Sequence, residues 1–292
     1  MSATLAIPPV MPSASFTPFS MLTYRNQSLD AVFYDLGVLT SEEINQARGL
    51  SLAEGRVLRV EPGRGTGVKD LGSAREVLSS PSDIPRHLAV AGVGSSVVGT
   101  AAFARNVAEA VAAPVAAVVS GYGMRDLLSE ALGGWFWFRT LNKVHRATED
   151  LAASRGQSYQ PFASAGFLGA DTAALRTLFS ADEPLFETVV GHSKGNLAIS
   201  EGLYQAGDAA TDLLESARII TIGAAIYMPD DAKTVVDVMG ELDGFGLMNS
   251  HADVTIDITM PRAWHHTNTA TWCPLDVVDA VRQAITFDAR RS

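Results

Sequence analysis

From residue 86 onward, short apolar runs alternate with longer stretches whose apolar positions recur every three to four residues. "RHLAVAGVG", "PVAAVVSGYG", "LFETVV" and "ARIITIGAAIYMP" are apolar, rich in valine and isoleucine, and of strand length. Between them, "TAAFARNVAEAVAA" carries Phe103, Val107 and Val111 at helical spacing, and "DTAALRTLFS", with Asp171 as its expected cap, and "NLAISEGLYQAG" follow the same period. "DDAKTVVDVMGEL" is expected to be helical, with Asp230 and Asp231 as its N-cap pair after Pro229, and "GFGLMNS" to be a fifth strand. "PLDVVDAVRQAI" closes the chain as a helix with Pro274 in its first turn. Ahead of this alternation, "LTSEEINQARGLSLAEG" predicts a helix with Thr40 as N-cap and Glu43 completing a capping box.

Strands without internal alternation are buried on both faces. A strand–helix alternation of this kind therefore predicts an α/β fold with a mostly parallel central sheet and helices on both faces. Neither an internal repeat nor an interdomain linker interrupts it, so residues 1–292 are expected to form one domain. The irregular stretch of roughly 123–170 reads as a helical, cap-like insert. Its "GGWFWFRTLNKVHR" holds four consecutive aromatics, which either pack in a core or, through Trp135 and Trp137, line an apolar substrate cleft.

Composition narrows the function classes. The chain has 292 residues, 47% hydrophobic and 18% charged, with a net charge of −10 and no basic run, which disfavours nucleic acid as a partner. A single cysteine, Cys273, excludes an intramolecular disulfide framework. No segment reaches the ~20 apolar residues of a membrane span, and "MSATLAIPPVMPSASF" lacks the pattern of a secretory signal, so a soluble, cytoplasmic protein is expected. Two glycine-rich stretches suggest nucleotide binding and fall short of it. Gly63, Gly65, Gly67 and Lys69 lack the phosphate-loop spacing, with Asp70 where Ser or Thr belongs. "GVGSSVVG" has Val97 where a dinucleotide fingerprint needs its third glycine.

The stretch "FETVVGHSKGNLAIS" carries the most specific chemistry. Its GHSKG follows an apolar strand and opens a helix, the context of a nucleophile elbow with Ser193 at the turn. A side chain at 191 or 195 would collide there with strand or helix backbone, and Ser193 must take strained backbone angles.

This stretch resembles the elbow of the α/β-hydrolase superfamily, and the order of flanking elements is similar. The resemblance implies a serine esterase or lipase that needs no cofactor or metal and acts on a small-molecule or polymeric ester. It implies oxyanion donors at the backbone amides of Val93, in "LAVAGVGSS", and Lys194, although Ala91 stands where many members have histidine. It also implies an acid and then a histidine after the serine. Asp253, just past an expected strand end, is the favoured acid, with Asp230, Asp231 and Asp257 as rivals. His266 is the favoured base and His265 the alternative, since His192 within the elbow cannot reach the serine. Asp253 precedes His266 by thirteen residues, an interval similar to the compact acid–histidine loops of cutinases. The expected function is cleavage of carboxylic esters or thioesters with an apolar acyl group. A hydrolase-fold binding protein without catalysis is the alternative.

Overall fold

The computed structural model describes residues 30–50, 54–92, 95–120 and 169–288. Eight strands among them form one mixed sheet in the order β2-β1-β4-β3-β5-β6-β7-β8. The strands are β1 (Arg56–Val60), β2 (Val68–Ser73), β3 (His87–Val90), β4 (Val115–Val118), β5 (Thr188–His192), β6 (Arg218–Ile222), β7 (Thr234–Gly240) and β8 (Ile258–Met260). From β4 to β8 all neighbours pair in parallel, and β1 joins antiparallel to β4 and to β2. The helices are α1 (Ser41–Gly49), α2 (Ala74–Leu78), α3 (Val97–Val111), α4 (Ala170–Phe179), α5 (Lys194–Ala206), α6 (Thr211–Ser216), α7 (Gly244–Asn249) and α8 (Val277–Asp288).

Successive strand residues enter opposite cores, as the pleat requires. Ala89, Ala117, Val190 and Ile220 pack with α3 and α8 on one face. Leu88, Ala116, Val189 and Ile219 pack with α2, α4 and α5 on the other. Helices therefore cover both faces, which is why these strands read as continuous apolar runs.

Two elements depart from the expected pattern, and they are neighbours. Residues 234–240 form a strand, β7, rather than a helix, and residues 244–249 form the helix α7 rather than a strand. β7 carries Thr234, Val235, Val236 and Val238, whose branched side chains favour a pleated surface, but with both faces covered it shows no period of two. Asp230 and Asp231 thus lie in a turn and cap no helix. Gly169, not Asp171, is the N-cap of α4, and α8 starts at Val277, beyond Pro274. The capping box of α1 forms as expected between Thr40 and Glu43.

The glycine-rich loop between β1 and β2 is occupied by the protein's own carboxylates. Glu109 accepts from Gly63 N–H at 2.5 Å, and Glu43 accepts from Gly65 and Gly67 at 3.2 and 3.0 Å. Glu43 also holds the buried Arg105 guanidinium at 2.7 Å. The amides that resembled a phosphate cradle serve to tie α1, α3 and the hairpin together.

Candidate active site

One residue, Ser193, separates the end of β5 from the start of α5, and it lies at φ 53°, ψ −122°. A non-glycine residue in this region is strained and persists only where its surroundings hold it. The Ser193 N–H donates to Ile222 C=O at 2.8 Å, and its own carbonyl accepts from Asn196 N–H at 3.0 Å. The Asn196 amide then donates to Ile222 and Ala224 carbonyls at 3.1 and 2.8 Å, fastening the turn to the exit of β6.

Both glycines of the motif sit at close approaches. A Cβ on Gly195 would lie 2.2 Å from the Val90 carbonyl oxygen, and one on Gly191 would lie 2.3 Å from Asn196 Oδ1. Ser193 thereby stands beside the C-terminal end of β3. The chain order reverses there, with β4 on one side of β3 and β5 on the other. Crevices at such switch points are where open α/β sheets bind ligands.

His265 Nε2 lies 3.0 Å from Ser193 Oγ, and His265 Nδ1 lies 2.7 Å from Asp243 Oδ2. An ionised Asp243 can only accept, so Nδ1 carries the proton and Nε2 turns its lone pair to the serine hydroxyl. His265 is 5% exposed and Asp243 0%. Asp243 follows β7 by three residues and caps α7 through its other oxygen, Oδ1, which accepts from Gly246 N–H at 2.6 Å.

His265 sits on the segment after β8, which is held from several sides. Trp264 N–H donates to Cys273 C=O at 2.8 Å, Leu275 N–H to His266 C=O at 2.8 Å, and Thr267 N–H to Phe33 C=O at 2.7 Å.

The structure brings Ser193 together with His265, the alternative base, and supplies Asp243 as the carboxylate. His266, the favoured base, turns outward, its Nε2 2.8 Å from the Trp272 carbonyl oxygen. Asp253, the favoured acid, accepts from the Tyr227 hydroxyl. Asp257 accepts from Asp237 N–H at 3.0 Å. The reason is the exchange of strand and helix at 234–249. The carboxylate that follows a strand and reaches an imidazole is Asp243, three residues after β7, and not Asp253.

Lys194 is the first residue of α5, so its N–H belongs to the helix's first turn, directly after Ser193. Val93, Trp135, Trp137 and nearly all of the expected cap lie outside the described residues. A narrow cleft beside the elbow is lined by Ala91, Ser120, Lys194, Gly195, Ala198 and Glu201. Apart from Val32, the exposed large hydrophobics among the described residues all lie on the two segments that carry Asp243 and His265. They are Leu242, Phe245, Leu247 and Met248 on the first, and Trp264 and Trp272 on the second. The Phe245 ring stands edge-on to His265 at 4.9 Å.

Among the described residues no group of three or more His, Cys, Asp or Glu is arranged to hold a metal ion, and no helix is long and apolar enough to cross a membrane. No protein-family model, curated protein or solved structure matches the chain.

Proposed function

We propose that this chain is a serine hydrolase of the α/β-hydrolase type that cleaves carboxylic esters or thioesters bearing an apolar acyl group. One observation carries the reading: the hydrogen-bonded series Ser193–His265–Asp243, with its serine on a strained strand-to-helix turn. The chain order serine, acid, histidine and the position of the elbow after β5 agree with that class.

In this mechanism Ser193 Oγ attacks the carbonyl carbon as His265 Nε2 takes its proton. Asp243 keeps the imidazole in the productive tautomer and stabilises its cation. The negative charge on the carbonyl oxygen falls to backbone donors, with Lys194 N–H the candidate among the described residues, each donor being worth roughly 3 kcal/mol. The imidazolium returns its proton to the departing alcohol or thiol, which leaves acyl-Ser193. Water then attacks that acyl group with His265 again as base, releasing the carboxylic acid and restoring the serine. The apolar residues around Asp243 and His265 supply a surface on which an acyl chain can lie.

Labelling with a fluorophosphonate tests the reading, because an inert fold has no activated serine. A single adduct on Ser193, absent from Ser193→Ala, is the expected result. An unlabelled, folded wild-type protein would leave only a binding role.

A further inference from the structure

His192, directly before Ser193, is 1% exposed, and its ring packs against those of Tyr34, Phe103 and His265. Its Nε2 lies 3.0 Å from the backbone carbonyl oxygen of His265, and its Nδ1 lies 3.3 Å from the Tyr34 hydroxyl. That hydroxyl in turn accepts from Gly92 N–H at 2.7 Å.

The direction of every bond in this series follows from its two ends. Gly92 N–H can only donate, so the Tyr34 oxygen accepts there and gives its hydrogen to His192 Nδ1. The His265 carbonyl can only accept, so His192 Nε2 bears the ring proton. Each buried polar group in the series is thereby satisfied with both side chains neutral. Burial holds them so, pulling His192 down to about 3 and pushing the Tyr34 phenol up.

The series also joins the right places. Gly92 is the second residue of the segment between β3 and α3 and lies against the turn at Ser193, where an added Cβ would be 3.4 Å from Ser193 Cβ. The other end grips the main chain of the residue whose ring faces Ser193 Oγ at 3.0 Å. Asp243 orients the His265 ring, and His192 fixes the backbone from which that ring projects.

We propose that Tyr34 and His192 form a hydrogen-bonded strut that positions His265 against Ser193 and ties the β3–α3 segment to the same frame. The two are positioning residues, acting through His265, and their kinetic effect rests on the hydrolase reading above. Misplacing a reacting group by about 1 Å typically costs on the order of 100-fold in rate. His192→Leu is therefore expected to slow Ser193 phosphonylation about 10- to 100-fold per folded molecule, with KM for an ester little changed. His192→Gln, whose amide nitrogen can reach the same carbonyl, is expected to recover most of that loss. Tyr34→Phe is expected to slow labelling several-fold.

The experiment combines fluorophosphonate labelling rates of the folded fraction with 15N NMR of the histidine rings in the wild-type protein at neutral pH. The strut requires His192 to be neutral with its proton on Nε2. A proton on Nδ1 overturns it, whatever the kinetics. If the wild type labels and His192→Leu, folded, labels equally fast, the positioning role is overturned while the hydrolase reading stands. If His192→Leu does not fold, the rate of His192→Gln and the ring proton decide: wild-type-like labelling with Nε2–H supports the strut, and a Gln variant that folds yet labels 10-fold slower or worse overturns it. If the wild type itself does not label, the hydrolase reading fails, and the ring proton alone decides whether the strut exists.

Discussion

Asp243 Oδ2 and His265 Nδ1 are 2.7 Å apart, while the second oxygen of the same carboxylate caps the helix that begins one residue later. One side chain thus orients the imidazole and anchors its own position, because the cap fixes the carboxylate plane. A carboxylate held at both oxygens loses little freedom when the histidine becomes charged, which suits an orienting role.

Asp243→Asn should lower kcat far more than Asp253→Asn. The asparagine can keep an oxygen on the Gly246 amide, but it then turns an N–H₂ donor toward His265 Nδ1 and favours the wrong tautomer. A fall on the order of 10⁴ in kcat is expected for this change, with only a few-fold effect for Asp253→Asn. Steady-state kinetics on an aryl ester, beside a thermal melt of each variant, make the comparison. Equal losses in the two variants would remove Asp243 from its proposed role.

His265→Ala and His266→Ala should separate just as sharply. The His265 ring alone is within reach of Ser193 Oγ, whereas the His266 ring bonds the Trp272 carbonyl. His265→Ala is expected to lose several orders of magnitude in kcat, and His266→Ala to shift stability or KM modestly. Single-turnover acylation reads the difference directly, and a larger loss in His266→Ala contradicts the geometry.

Gly246 offers a test of the support beneath the site. A Cβ there would stand 2.5 Å from Asp243 Oδ2 and 2.6 Å from the Gly223 carbonyl oxygen. Gly246→Ala must therefore displace the carboxylate or the backbone after β6. We expect a loss of about 1–3 kcal/mol in stability together with a fall in kcat, whereas Gly244→Ala, with nothing within 4 Å, should leave kcat unchanged. Urea unfolding and kinetics on the pair check both halves.

How much of this was legible beforehand depends on where tertiary burial imposed a pattern. The turn announces itself because the Val90 carbonyl against Gly195 and the Asn196 side chain against Gly191 demand glycines at fixed positions around a strained serine. β7 hides because both its faces are covered, so Val235, Val236 and Val238 make a run that suits a helix as well as a strand. Because of that exchange the sequence points to Asp253, whereas the carboxylate in contact with His265 is Asp243. Between His265 and His266 the sequence holds no information, since the two rings part only when Trp272 and Asp243 take their places. Tyr34 and His192 are 158 positions apart. Nothing local links them, although a buried histidine and tyrosine both need partners.

Asp237, on β7, predicts a pH dependence of stability separate from catalysis. Burial holds its carboxyl up at about 7, with the Asp257 charge adding to the shift and the Thr221 hydroxyl opposing it. The unfolded value, 3.8, is lower, so the folded state binds the extra proton. Stability is then fully present below about pH 4 from this group and is lost as pH rises towards 7, by up to ~1.4 kcal/mol per pH unit. Asp237→Asn cannot ionise, and its melting temperature relative to wild type should climb between pH 5 and 8. A constant difference across that range would show that Asp237 titrates normally.

Phe245 is 48% exposed yet stands 4.9 Å from the His265 ring, at the edge of the proposed reaction centre. Each methylene removed from water contributes about 0.8 kcal/mol, close to fourfold in kcat/KM where the chain is fully covered. Aryl esters should therefore be cleaved with rising kcat/KM from acetate to butyrate or hexanoate. Phe245→Ala should flatten the rise. The same substitution also removes a ring packed on His265, so acetate serves as the internal reference. A uniform drop across all chain lengths would mean that Phe245 supports the histidine rather than the substrate, and a profile that falls from acetate in the wild type would remove the apolar acyl group from the proposed function. A steeper loss for hexanoate than for acetate is the outcome expected of a residue that lines the path of the chain.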